Sequence, residues 1–453
     1  MHGAWRLSVL LLALGCAEPA PLAERMPSPA GTRLRRAESE PEPWSEPWML
    51  REGQRFIEDT AYRRAALEYS LVNPDNLYSR QRLASYGLGE RRWDRLPQWN
   101  PRASPVTGAL AAQLERGEVP AAPADRLWDG IQPSTMEGWV ELGRKVFFGY
   151  PMRAEVYMEW GLTQPSIAEA VGVERSAEGD VPGLVVFVDV DREVRVGITC
   201  AICHTSVEQG GVVEGAARRS FDYGRLRLEY FADTGAWVEP SLAARMAGWG
   251  PGRADVTEDD DEDPVTIPDL WGLRHQRWLT QAGTIRHDSP LALAIRQETQ
   301  LTDSNHSMVR PPRALAWALA MYVYSLEPAE RSAVGSPRGE GVFDEHCGSC
   351  HSGQGYGGRM IAAAAIGTDP SLATGRGRGT GKYRVPSLVR VAEGAPYLHD
   401  GSVSSLRELL SPMRLRPDYA DGRFGPGPIP GHTAGTDLSG EETESLLEFL
   451  RSI

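Results

Sequence analysis

Two short motifs, Cys200-Ala-Ile-Cys203-His204 and Cys347-Gly-Ser-Cys350-His351, constrain this chain more than anything else in it. Each is C-x-x-C-H, the spacing of covalent c-type haem attachment. The two thiols of such a motif reach the two vinyl groups of one porphyrin, and the adjacent histidine meets the iron from the same side. A redox dithiol and a zinc ribbon are the competing readings. Neither accounts for a histidine directly after both pairs. A ribbon also wants its pairs roughly 15 to 20 residues apart, whereas Cys203 and Cys347 are 144 positions apart. The expectation is two covalently bound haem c groups, attached through Cys200, Cys203, Cys347 and Cys350, with His204 and His351 as axial ligands.

The fifth cysteine, Cys16, closes an N-terminal stretch with a different purpose. One cation, Arg6, precedes the apolar run from Leu7 to Leu14. That run is too short to span a bilayer, which needs about 20 apolar residues, and suits a secretory signal. Leu12-Ala-Leu-Gly-Cys16 resembles a bacterial lipoprotein signal, with Ala13 where leucine is usual; cleavage without lipidation is the alternative. Either way the mature chain is expected in the periplasm, lipid-anchored to a membrane if Cys16 is acylated. Haem attachment outside the cytoplasm agrees with export. The balance of 48 Lys and Arg against 61 Asp and Glu leaves a formal charge of −13. It argues against nucleic acid as a partner and favours a basic protein.

The length of 453 residues suggests two or three domains. Residues 1–16 read as the signal and 17–47, rich in Pro, Glu and Arg, as a flexible tether. Residues 48–130 read as a helical, Trp-rich extension whose Trp93, Trp99 and Trp128 pack it against the main body. Residues 131–330 and 331–453 form two tandem cytochrome c-type haem domains, so the fold class is mainly α. The two halves repeat. Ile267-Pro-Asp-Leu270 precedes Gly283, and Val385-Pro-Ser-Leu388 precedes Gly401, each proline 15 residues before its glycine. Each half ends on an apolar helix, Ala314 to Leu326 and Glu441 to Ile453; Ser439 with Glu442 predicts a capping box on the second. The first copy is longer mainly between its histidine and its proline. That insertion holds the acidic run Glu258 to Asp263, a solvated loop or a calcium site.

The repeat separates the two irons. Met413 lies 12 residues beyond Gly401 and 62 beyond His351, a reach that predicts a six-coordinate His351/Met413 haem of raised potential. Its counterpart in the first copy is Ile295, which cannot ligate iron, so the His204 haem is expected to have an open sixth position. Met360, nine residues after His351, reads as packing. An open iron beside a closed one suits an enzyme, with one haem storing electrons and the other binding peroxide or dioxygen.

From about residue 138 onward the chain resembles the bacterial di-haem cytochrome c peroxidases, a family that includes the MauG-type oxidases. The resemblance rests on Tyr383-Arg-Val-Pro-Ser-Leu388, Ala395-Pro-Tyr-Leu-His-Asp-Gly401, Ser405-Leu-Arg-Glu408 and Met413, and more loosely on Leu142-Gly-Arg-Lys-Val-Phe-Phe148. It implies an oxidoreductase that reduces hydrogen peroxide to water with electrons from a small cytochrome c or copper protein. It also implies a distal acid for proton transfer, for which Glu298 stands in the right stretch, and a calcium site near Gly394 and Pro396. Departures from the family are visible. Gln281-Ala-Gly-Thr284 replaces its Trp-Asp-Gly-Arg, leaving Trp271 or Trp278 as substitutes for the inter-haem tryptophan. No distal histidine is evident; His275, His287 and His306 are candidates, while His399 and His346 read as structural and exposed. Two rivals remain open: a MauG-like or rubber-oxygenase-like oxidase of an organic or protein substrate, and a non-enzymatic electron carrier. A homodimer is compatible with each.

Overall fold

The computed structural model describes residues 41–87, 93–255, 259, 261, 263–329 and 335–453. Cys16, the signal, most of the segment 17–47, and Glu258, Asp260 and Glu262 of the acidic run lie outside the described residues. Residues 40–453 belong to one mainly helical unit. No helix among the described residues is long and apolar enough to cross a membrane.

Each half is built on a crossed pair of helices. In the first, the helix Met136–Gly149 starts at Thr135, whose side chain accepts from the Gly138 amide, and buries Trp139, Leu142, Val146 and Phe147. This i, i+3, i+4 spacing makes one apolar stripe. The stripe packs on the closing helix Arg313–Ser325. In the second half the lead helix Pro337–His346, capped by Ser336, packs on the closing helix Gly440–Leu450. The expected capping box of Ser439 and Glu442 is present.

At both crossings a glycine lets the backbones touch. A methyl group on Gly143 would run into the carbonyl of Ala318, and one on Gly339 into the carbonyl of Ser445. Phe147 meets Tyr322 with ring centroids 5.1 Å apart, and Phe343 meets Phe449 at the same distance. The glycines, the phenylalanines and their ring partners therefore hold equivalent places in the two copies. The repeat extends to the turn glycines, since Gly283 and Gly401 are both left-handed, with φ of 60° and 72°.

The first half carries a β-layer that the helical expectation omitted. Strands β1 (Ala103–Pro105), β2 (Arg153–Ala154), β3 (Leu184–Val188) and β4 (Val194–Ile198) form an antiparallel sheet in the order β1-β3-β4-β2. All five residues of β3 are buried. The insertion before the cysteines is also large: 57 positions separate Gly143 from Cys200, against eight from Gly339 to Cys347.

The N-terminal segment lies over the first closing helix. Helix Glu46–Glu58 brings Gly53 so close to Trp317 that a methyl there would clash with the indole, and Phe56 lies 5.9 Å from that ring. Trp93 is buried. Trp99 stacks edge-on against Tyr150 and Phe187 at 5.7 and 5.8 Å, and Trp128 donates to the Ile131 carbonyl. In the acidic run, Asp263 is buried and Asp261 lies 4.0 Å from Arg376. Among the described residues no three His, Cys, Asp or Glu side chains converge to hold a metal ion.

Candidate haem-binding sites

The first motif occupies a short 3-10 turn, Cys200–Ile202, directly after β4, with the Thr199 hydroxyl accepting from the Ala201 amide. Buried Arg218 fixes the loop that follows, donating to the carbonyls of Pro182 and Thr205. The second motif begins where the lead helix Pro337–His346 ends, with Cys347 as its C-cap. All four cysteines are free thiols. Burial pushes Cys200, Cys203 and Cys347 up to about 11. A redox dithiol needs the opposite shift.

The repeated prolines face the two motif histidines. His204 Nδ1 lies 3.0 Å from the Pro268 carbonyl. His351 Nδ1 lies 3.0 Å from the Tyr356 carbonyl, with the Pro386 carbonyl as a second acceptor. A carbonyl only accepts, so each Nδ1 carries the proton and each Nε2 keeps its lone pair. This is the outer-shell bond that orients a metal-ligating histidine. Burial pushes both rings down to about 4, which keeps them neutral.

Beside the second motif is a cavity of about 530 Å³, a size that suits a cofactor. Cys347, Cys350 and His351 form part of its lining, with apolar Ile361, Ile366, Leu406, Leu409, Leu410 and Leu446. Arg219, Arg359 and Arg384 also line it and fit the two propionates that haem carries. Half-buried Arg384 donates to the Thr280 carbonyl and to Gln276, tying the site to the first half. The residues present therefore fit a haem, through two thiols, a proton-fixed histidine, an apolar lining and cations.

The remaining predicted residues fall elsewhere. Met413 does not line the cavity and is 52% exposed. The ring that faces His351 belongs to His432, 6.4 Å away between centroids. No local signal marked His432; it lies 81 residues beyond His351 in a glycine- and proline-rich loop. Glu298 is 2% exposed and fully engaged, accepting from Tyr86 at 2.7 Å and pairing with Arg313 at 3.1 Å. These partners engage both of its oxygens. Its helix, Pro290–Ser304, instead turns Arg296 toward the first motif, where its charge acts on Cys200 and His204. Two residues of helix are about 200° of rotation, so Arg296 and Glu298 point to opposite sides.

The candidate sixth ligands are similarly resolved. His287 is buried, its Nδ1 on the Gln276 carbonyl at 2.6 Å and its Nε2 on the Tyr324 hydroxyl at 2.5 Å, so neither nitrogen is available. His306 is an exposed turn residue with φ 56°. His275 is half-buried beside Gly355. His399 stacks on Tyr383 at 4.4 Å and meets its hydroxyl at 3.1 Å. His346 is half-buried rather than exposed, on the cavity lining beside Cys347. Met360 packs onto Gly283. Gly394 and Pro396 line the cavity. Of the two tryptophans, buried Trp271 lines the cavity only three residues after Pro268, whereas Trp278 lies half-buried under Arg286.

No family model matches this sequence, and no curated protein does. Solved structures do. A MauG-like protein associated with microbial copper homeostasis is 20% identical, over 45% of this chain and 77% of that one, with a TM-score of 0.32. Hydrazine synthase of Kuenenia stuttgartiensis is 13% identical, over 79% of this chain and 97% of that one, with a TM-score of 0.35.

Proposed function

We propose that this protein is an exported di-haem c-type oxidoreductase of the cytochrome c peroxidase and MauG type. One haem is held by Cys200, Cys203 and His204, the other by Cys347, Cys350 and His351. The observation that carries the reading is the pair of motif histidines, each with Nδ1 held by a backbone carbonyl, that of Pro268 for His204 and that of Tyr356, beside Pro386, for His351. Bound haem supplies the one-electron chemistry that amino-acid side chains lack. Trp271 lies where a side chain bridges the neighbourhoods of the two motifs, and Arg296 keeps a fixed positive charge at the first.

In this reading the second site accepts electrons from a small redox protein with a basic face, complementary to the chain's charge of −13. The first site is where hydrogen peroxide is reduced to water, with two electrons and two protons taken up. The commitment of Glu298 to Tyr86 and Arg313 favours a second reading, in which dioxygen or an organic substrate reacts at the first site without a distal glutamate. Cys16 anchors the mature chain to the membrane through a lipid in either case.

The test is the full chain expressed with a c-type haem maturation system. Two covalent haems per chain by mass and haemochrome, with peroxide consumed by a reduced cytochrome c, are expected. Two haems without peroxide turnover but with dioxygen uptake would select the oxidase. Absence of covalent haem would end both readings.

A further inference from the structure

We infer that His432 is the second axial ligand of the haem held by Cys347, Cys350 and His351, in the place where sequence spacing puts Met413. The inference deepens the di-haem reading and rests on it. Its first support is distance. An iron between two imidazoles, about 2 Å from each nitrogen, puts the ring centroids roughly 6 Å apart. His351 and His432 are 6.4 Å apart between centroids. The rings are turned 59° to each other, and rotation of two rings about a shared axis does not disturb ligation.

The second support is the state of the ring. His432 lines the cavity, and its buried Nδ1 has no hydrogen-bond partner outside its own residue. A buried polar atom left unpaired costs about 1 to 3 kcal/mol, so it normally marks a missing partner. The other cavity histidines are accounted for, since His399 is engaged by Tyr383 and His346 is on the same wall as Cys347.

The third support is the apparatus that presents the ring. His432 sits at φ 44°, a backbone state that is uncommon outside glycine and asparagine and persists only when its surroundings hold it. Fully buried Arg414 holds this one. Its guanidinium donates to the carbonyls of Leu409, Ile429, Gly431 and His432, at 3.0, 2.6, 2.9 and 2.7 Å. The His432 amide adds a bond to the Ile366 carbonyl at 3.0 Å. Arg414 thus joins the turn that carries Met413 to the loop that carries His432. With its side chain buried inward, the preceding Met413 is left half in solvent. Arg414 is a positioning residue; it touches the loop and not the cofactor.

Imidazole in place of a methionine thioether lowers the potential of a haem, because methionine ligation raises it. The second haem is therefore a more reducing store than a His/Met haem would be.

The experiment compares His432→Ala, His432→Met and Met413→Leu in the full holoprotein, read by electron paramagnetic resonance, optical spectra and redox titration. Covalent haem is counted first, because fewer than two haems per chain would fail the di-haem reading and not the ligand assignment. With two haems present, H432A is expected to convert one haem from low to high spin, and added imidazole to reverse it. H432M should raise one midpoint potential, and M413L should leave spectra and potentials unchanged. H432M also serves if H432A does not fold, since an unshifted potential in it would overturn the assignment. Loss of the low-spin signal in M413L but not in H432A would overturn it as well.

Discussion

The two closing helices occupy equivalent places in the repeat yet live in different surroundings. In the first, every residue from Ala314 to Tyr324 is buried; in the second, burial falls on Leu446, Leu447, Phe449 and Leu450 and the opposite side meets solvent. The difference follows from the helix Pro290–Ser304 and the N-terminal helix Glu46–Glu58, which both pack on the first closing helix and, among the described residues, have no counterpart over the second. It is written into composition, as an Ala-, Trp- and Tyr-rich helix against one with Glu441, Glu442, Glu444 and Glu448. A helix apolar on all sides needs cover on all sides. One crossing geometry has thus been kept while one copy became the centre of a larger core.

The same contrast appears at the helix starts. Ser439 and Glu442 cap the second closing helix, whereas the first begins at Pro312 with no side-chain cap and relies on packing. Stability in the first half should therefore depend on large buried groups, and in the second on smaller local ones.

The sharpest way to break this comparison is Trp317→Ala, beneath Gly53 and Phe56. It should cost about 3 to 5 kcal/mol in urea unfolding; a cost under 1 kcal/mol would show that the N-terminal helices do not depend on this contact. Glu298→Ala leaves half-buried Arg313 to Asp94 alone and strips buried Tyr86 of its acceptor. About 1 to 3 kcal/mol is expected, together with an unchanged optical spectrum, because Glu298 faces away from the first motif. A spectral change without loss of stability would return it to the haem site.

The next effect is a pH dependence to which His287 contributes alongside the other buried imidazoles. Burial holds His287 down to about 4 against an ordinary 6.5. The unfolded chain takes up a proton that the native ring refuses, so stability is full above about pH 6.5 and falls as pH drops toward 4, by up to a few kcal/mol. His287→Gln should flatten that slope between pH 4 and 6.5. An identical slope in the variant would assign the dependence to other groups.

Smaller effects belong to the second half. Ser439→Ala should cost about 1 kcal/mol through the lost cap. Arg338→Ala, which removes an exposed pair with Glu441, should cost less than loss of the cap, and less still in high salt. Equal losses from these two would mean that the capping box adds nothing beyond surface charge.

Legibility followed sequence distance. The two motifs, the prolines, the turn glycines and the closing helices were readable because each depends on neighbours a few residues away. The sheet in the first half was also within reach. Leu184-Val-Val-Phe-Val188 followed by Val194-Arg-Val-Gly-Ile198 is a β-branched hairpin pattern, obscured by the expectation of helix. The partners of Glu298 were not legible, because position after a landmark says nothing about which face of a helix meets which neighbour.

What the sequence carried on its own is the pair of C-x-x-C-H motifs and the repeat around them, since thiols three positions apart with a histidine beside them keep that spacing wherever the chain goes. The tertiary structure decided which ring stands opposite His351. His432 reaches the cavity across 81 residues only because Arg414 gathers four carbonyls from separate turns. A contact that depends on closing so long a loop leaves no period or spacing to read, and the same folding that brought His432 in turned Met413 outward.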